Sequence, residues 1–319
     1  MASRRTLRLA SAAAGLVGIG LFIWSIRLAG GTAVLAGVRR LGSGFAIVWL
    51  LGGVRYLARA LAWALCVEEG QRLRLWAAFE ASVAGDAIGN ITPFGFFASE
   101  PSKIVFLRER LEPQASIGGL ALENLFYSAS VVVMLVGGTA ALLLSFDVPR
   151  AVRIASLSVL AGTLIAAVGA AWVVVARVRI LSRIFPQARN VEDRVFAFAR
   201  VHPDRLAPIA ALEATYHATA VFEIWFVVAL ITGTAPSLLT AFVLEYVNRT
   251  ITVVFQFVPM WLGVDEAGTG LLATVLKLAP ATGVSLALVR KARILAWTAI
   301  GVALAFARGI RARSTVVST

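Results

Sequence analysis

Residues 85–103 read GDAIGNITPFGFFASEPSK, and they interrupt a chain that is otherwise apolar enough for lipid. Asp86, Asn90, Pro93, Glu100 and Lys103 all fall within this stretch. Charged and amide side chains are costly in hydrocarbon, so their placement decides both how the chain crosses a bilayer and where a polar site can form.

The surrounding composition identifies the solvent. Of 319 residues 59% are hydrophobic and 15% charged, and the mean hydropathy is +0.85, far from soluble averages. Apolar segments recur at 11–26, 44–66, 116–146, 153–176, 206–233, 237–258 and 284–307. Several are long enough to cross a ~30 Å hydrocarbon core at ~1.5 Å per residue. None alternates polar and apolar residues as barrel strands do, so the expected fold is all-α: a polytopic helical membrane protein. The first segment follows Arg4, Arg5 and Arg8 without a convincing cleavage site, and is read as a retained helix.

A single cysteine, Cys66, excludes an intramolecular disulfide, and His202 and His217 are the only histidines, so neither a metal nor any other cofactor is expected. The net charge of +13 lies at helix ends and in loops rather than on a soluble basic face, which argues against a nucleic-acid partner. The hydrophilic stretch 177–205 carries Arg177, Arg179, Arg183, Arg189, Arg194, Arg200 and Arg205 against Glu192, Asp193 and Asp204, marking it as cytoplasmic. Both termini are basic and are placed inside as well. Apolar residues among these arginines, with Pro186 between, suggest an interfacial amphipathic helix pair.

Counting crossings from the cytoplasmic loops puts Arg72, Arg74, Lys103, Arg108 and Arg110 on one side. The chain over 75–107 then enters and leaves by one face, too short for two crossings of about 20 residues each. The natural structure is a re-entrant hairpin broken near Pro93. Pro93 disfavours helix at Thr92, and Gly95 opens conformations closed to other residues. Such backbone survives at membrane depth only when buried in protein or facing a watery cavity.

The second half mirrors the first. Its break reads PMWLGVDEAGTG over 259–270, inside a segment that starts and finishes outside. Pro93 precedes Glu100 as Pro259 precedes Glu266, by the same seven positions. The chain is therefore expected to form a single transmembrane domain. Its inverted halves, roughly 1–176 and 206–308, are joined by the basic loop 177–205, and two inverted hairpins enclose a midplane site.

The stretch NITPFGFFASEPSKIVFLRER, Glu123 in ALENLFY, and PMWLGVDEAGTG followed by a helix bearing Arg290 resemble the transmembrane region of the lysylphosphatidylglycerol synthases and the flippase-like proteins that share it. The resemblance spans about residues 10–308 and implies movement of a polar-headed lipid across the cytoplasmic (inner) membrane. The lipids it implies are an anionic phospholipid, a lipid-linked glycan or a hopanoid-type lipid. The sequence ends at Thr319 without a soluble aminoacyl-transfer domain, so synthase activity is not expected to carry over. Phe96, Phe97 and Ala98 stand where a smaller, glycine-richer approach to the glutamate is usual.

Two sets of site residues follow. The head-group candidates are Asn90, Pro93, Glu100, Lys103, Arg108, Glu123, Arg249, Asp265, Glu266 and Arg290. Arginines suit a lipid phosphate and carboxylates a cationic or hydroxylated group. Arg55, Glu80, Asp86, Glu213, His217 and Glu245 are candidates for the cavity wall or a proton relay. Ser82, Asp86 and Asn90 share one helical face, as do Glu245, Arg249 and Gln256; Arg55 with Arg59, and Arg290 with Arg293, are spaced about one turn apart. The competing reading is that these charges pair with one another and fix helix packing. Trp24, Trp63, Trp76, Trp172, Trp225 and Trp261 are read as interface anchors or packing residues. No catalytic motif appears in an external loop, so a non-enzymatic function is expected. The alternatives are a membrane-embedded transferase using Asp265 and Glu266, and a non-transporting partner of a lipid-biosynthesis enzyme. The GLVGIG run at 15–20 is compatible with homo-oligomers.

Overall fold

The computed structural model describes residues 20–67, 71–92, 95–179, 181–184 and 189–317. Pro93 and residues 11–19 of the first expected helix lie outside these. Every regular element among the described residues is helical.

Helices α3 (Gly44–Cys66), α6 (Pro113–Ser145), α7 (Arg150–Val175) and α10 (Pro203–Thr232) are each long and apolar enough to cross a membrane. The chain is a multi-pass membrane protein. The described part of the first expected helix is α1 (Gly20–Ala29), and α2 (Gly31–Leu41) follows it at a bend of 88°. The bend falls at Gly30, whose φ of 85° is closed to most side chains. After it α2 is amphipathic, burying Val34, Gly37 and Leu41 and carrying Arg39 and Arg40 in its last turn. Ser285 Oγ donates to the Val34 carbonyl, seating α2 on α13 (Pro280–Val317).

Two pairs of shorter helices surround the two expected breaks. Helices α4 (Leu75–Ile91) and α5 (Gly95–Leu107) run antiparallel. Their closest approach is backbone to backbone, since a Cβ on Gly89 would lie 2.9 Å from the Gly95 oxygen. Helix α11 (Leu238–Val254) is followed by a 3-10 turn, Pro259–Trp261, and by α12 (Val264–Val275). Here Met260 (φ 52°), Trp261 (φ 50°) and Gly263 (φ 83°) occupy left-handed backbone. For two non-glycine residues in succession that is a costly conformation. The expected helix over 237–258 accordingly stops at Val254, and Gln256 sits beyond its end, exposed and off the Glu245–Arg249 face.

The packing follows a recurring pattern. Helix α3 lies against α10; α4 packs on α13 and α11 on α6; α3 also meets α4 and α6, while α10 meets α11 and α13. One apolar core gathers Val48, Leu135, Ile224, Leu244 and Leu286, and a second gathers Trp63, Ala78 and Leu107. Helix α7 buries only Ser156, leaving its apolar surface for lipid. Between α7 and α10 come the short α8 (Leu181–Ile184) and α9 (Arg189–Val201), the latter amphipathic and seated through Val191 and Phe198.

Candidate functional site

The polar residues of α3, α4, α5, α6, α10, α11 and α13, with those at the start of α12, converge on one cavity of about 1050 Å³ including its open mouth. Ser82, Asp86 and Asn90 line it as successive turns of α4, and Arg55 and Arg59 as successive turns of α3. Lys103, Glu123, Arg249, Asp265, Arg290 and Arg293 complete its charged wall, while Tyr56, Trp63, Tyr216, Trp261 and Trp297 supply rings.

The charges are organised as ion pairs that tie neighbouring helices. Arg59 Nε and Nη2 donate to the two oxygens of Glu123 at 2.6 and 2.8 Å, a bidentate bridge from α3 to α6. Lys103 Nζ lies 2.9 Å from Asp86 and 2.8 Å from Glu100, joining α4 and α5. Asn124 Nδ2 donates to the other Glu100 oxygen at 2.8 Å, which fastens α5 to α6. In the second half Arg290 Nη2 donates to Asp265 at 2.6 Å and to Thr269 at 2.7 Å, joining α13 to α12. Arg249 donates to Glu245 at 2.7 Å and to the Tyr127 hydroxyl at 2.8 Å. Arg293 pairs with Glu223 between α13 and α10.

Arg55 stands apart. Its nearest carboxylate oxygen, on Glu223, is 3.8 Å away, and its short hydrogen bond goes to the Tyr216 hydroxyl at 2.8 Å. Residues around the cavity carry orphaned groups: Arg55 Nε, Arg249 Nε, Arg290 Nε and Nη1, Trp63 Nε1 and the acceptor Glu223 Oε1 are buried without a hydrogen-bond partner. A buried donor left unpaired is costly, and a group that accepts from it recovers that cost. The arrangement is suited to holding a polar, anionic group inside a helical membrane bundle.

A membrane bundle with a charged cavity between two broken helix pairs is the setting in which the comparison with known families becomes decisive. The family described as Lysylphosphatidylglycerol synthase TM region matches residues 11–303. The chain belongs to that family. Searches of the curated proteins and of the solved structures found no significant match. Membership in the lysylphosphatidylglycerol synthase transmembrane-region family ties the chain to membrane lipids.

Within this family member, Asn90, Lys103, Glu123, Arg249, Asp265, Arg290, Arg55 and Asp86 meet at the cavity. Others named from sequence fall elsewhere. Glu100 and Glu245 stand behind the wall as partners of Lys103 and Arg249. Glu266 is fully buried with both oxygens engaged, one by Lys291 at 2.5 Å and one by the Gly263 N–H at 2.7 Å. It caps and braces α12 instead of facing a head group. Arg108 is exposed, and Glu80 pairs with Arg110 on the surface at 3.2 Å. Glu213 and His217 flank Ser130 at 3.4 and 3.0 Å between α6 and α10, off the cavity wall. Pro93 lies outside the described residues.

Sequence reading passed over Tyr56, Asn124, Tyr216, Lys291 and Trp297. A charged or titratable neighbour in sequence offered a signal for some: Asn124 adjoins Glu123, Tyr216 adjoins His217, and Lys291 adjoins Arg290. Of the tryptophans read as anchors, Trp24, Trp76 and Trp172 are exposed, whereas Trp63 and Trp261 line the cavity. Trp297 stacks on Trp49 at 5.1 Å and fits because a Cβ on Gly52 would lie 2.7 Å from its Nε1.

Proposed function

We propose that this chain passes a polar-headed, phosphate-containing lipid across the cytoplasmic membrane, with the head group travelling through the central cavity while the acyl chains stay in lipid. One observation carries this reading: a cavity large enough for a head group, lined by charged side chains from both broken helix pairs, lies inside a membrane bundle. A head group crossing hydrocarbon unaided leaves its charges without water or partners, and a polar cavity supplies the partners.

The two broken pairs, α4–α5 and α11–α12, are read as re-entrant hairpins of inverted halves with both termini cytoplasmic. The matched packing of α4 on α13 and α11 on α6 supports that relation, as do the matched Arg–Glu bridges from α3 to α6 and from α13 to α10. Transport is favoured over group transfer because Asp265 and Glu266, the acid–base candidates, are held in ion pairs with Arg290 and Lys291.

Proteoliposomes carrying a head-group-labelled, chemically quenchable phospholipid provide the test. Active protein is expected to expose the inner-leaflet label to an external quencher, and Arg55→Gln to slow that exposure. Retention of the protected fraction across phospholipid and glycolipid probes refutes translocation.

A further inference from the structure

The charges around the cavity are not evenly matched, and the imbalance has a direction. At one end Arg55, Arg249, Arg290 and Arg293 face Glu223, Glu245 and Asp265, four cations against three carboxylates. At the other end Arg59 and Lys103 face Asp86, Glu100 and Glu123, two cations against three. The orphaned guanidinium donors, on Arg55, Arg249 and Arg290, all belong to the cation-rich end. Arg59, by contrast, spends Nε and Nη2 on Glu123 and Asn124.

Two of these arginines are close together, and all three line the same cavity. The guanidinium carbons of Arg55 and Arg249 lie 4.4 and 5.5 Å from the centre of one ring, that of Tyr216. Glu245 sits within electrostatic reach of Arg249, Arg55 and Arg290 alike. Arg249 and Arg290 are also more than nine-tenths buried.

We infer that Arg55, Arg249 and Arg290 form a seat for a singly charged phosphate-class anion, and that the Lys103–Glu100 and Arg59–Glu123 end does not. The anion neutralises the surplus positive charge and accepts from the orphaned donors, in the planar geometry that guanidinium forks offer phosphate oxygens. A lipid phosphodiester and a free phosphate share this chemistry. The seat rests on the anion-binding part of the proposed function and locates it within the cavity. It does not depend on whether the bound group is carried across.

The test is calorimetric titration of the full chain in neutral detergent with dihexanoylphosphatidylglycerol and, separately, with inorganic phosphate. The lipid is expected to bind saturably. Arg55→Gln, and the double variant Arg290→Gln with Asp265→Asn that removes a pair without stranding a charge, are each expected to weaken it roughly tenfold to a hundredfold. Arg110→Gln, a surface change of equal charge, is expected to leave binding within about threefold. Thermal melting of each variant separates lost affinity from lost folding, and the double variant carries the test if Arg55→Gln does not fold. An equally steep loss in the double variant Arg59→Gln with Glu123→Gln moves the anion to the other end and overturns the assignment. Binding of inorganic phosphate without the lipid overturns its lipid half, and binding of neither overturns it entirely. Lipid binding by a protein that leaves leaflet asymmetry intact refutes translocation and leaves the seat in place.

Discussion

Gly301→Ala is the perturbation whose outcome follows most directly from the packing. A Cβ at this position of α13 would stand 2.3 Å from the Val83 carbonyl oxygen and 2.6 Å from the Ala87 Cβ, both on α4. Ordinary contact begins near 3.4 Å, so α13 has to withdraw by about 1 Å, and the obstruction is backbone that no rotamer change relieves. Overpacking of this kind costs about 1–3 kcal/mol. Thr298 lies one turn away on α13 and accepts a hydrogen bond from Asn90 Nδ2 at 3.0 Å, which a 1 Å withdrawal lengthens past useful range at about 1 kcal/mol more. The sum is roughly 2–4 kcal/mol, which lowers the melting temperature by about 4 °C or more. The assay is tryptophan fluorescence on heating in detergent. Gly169→Ala on α7, where nothing lies within 4 Å of the added methyl, serves as the control and is expected to melt with the parent. Melting of Gly301→Ala within about 1 °C of the parent refutes the close approach of α13 to α4. The same withdrawal moves Asn90, a cavity residue, so lipid movement in proteoliposomes is expected to fall along with stability.

Two further outcomes are expected. Glu223→Gln removes the partner of Arg293 and the nearest carboxylate to Arg55, and stranding buried charge costs about 3–5 kcal/mol. Adding Arg293→Gln is expected to recover part of that loss, whereas additive destabilisation in the same melting assay disproves the coupling. In a Cys66→Ala background, single cysteines at Ile91 and Phe257, both exposed near the two breaks, are expected to react with impermeant maleimide from opposite faces of the membrane. Reaction from one face rules out inverted hairpins.

Membrane character was legible because it is a bulk property: hydropathy over 20 residues averages away local exceptions, and the boundaries of α3 came out at Gly44 and Cys66 as read. Local backbone was less so. Helix α2 was not read because a Gly-Gly pair followed by apolar residues leaves hydropathy unchanged, and only the positive φ of Gly30 turns the chain into it. Helical spacing brought the faces of α3 and α4 to the cavity, yet it could not tell which charges would be exposed there. Glu266 shows why. Its position three residues past Gly263 marks a helix start as readily as a ligand, and the cap and Lys291 together consume both its oxygens. Tyr216 escaped notice for the converse reason, since an uncharged tyrosine beside Glu213 and His217 reads as packing until Arg55 is found donating to its hydroxyl.

The sequence left two readings of the buried charges, head-group binding or mutual pairing, and the ion pairs make these compatible. Pairing alone is a weak reason to retain such groups, because well-packed apolar residues of similar volume serve stability equally or better. Pairing does explain how a charged cavity persists when empty: each arginine has a carboxylate or a hydroxyl to hold it in place. What pairing does not explain is geometry that leaves Arg55 3.8 Å from its carboxylate and strands donors on Arg249 and Arg290. A network built only for packing has every reason to close those gaps, since each unmade bond in the interior is a standing cost. The cations whose hydrogen bonds go to carboxylates, Arg59, Lys103 and Lys291, brace helices. Unpaired donors on Arg55, Arg249 and Arg290 belong to residues that line the cavity, which is where a ligand has something to add.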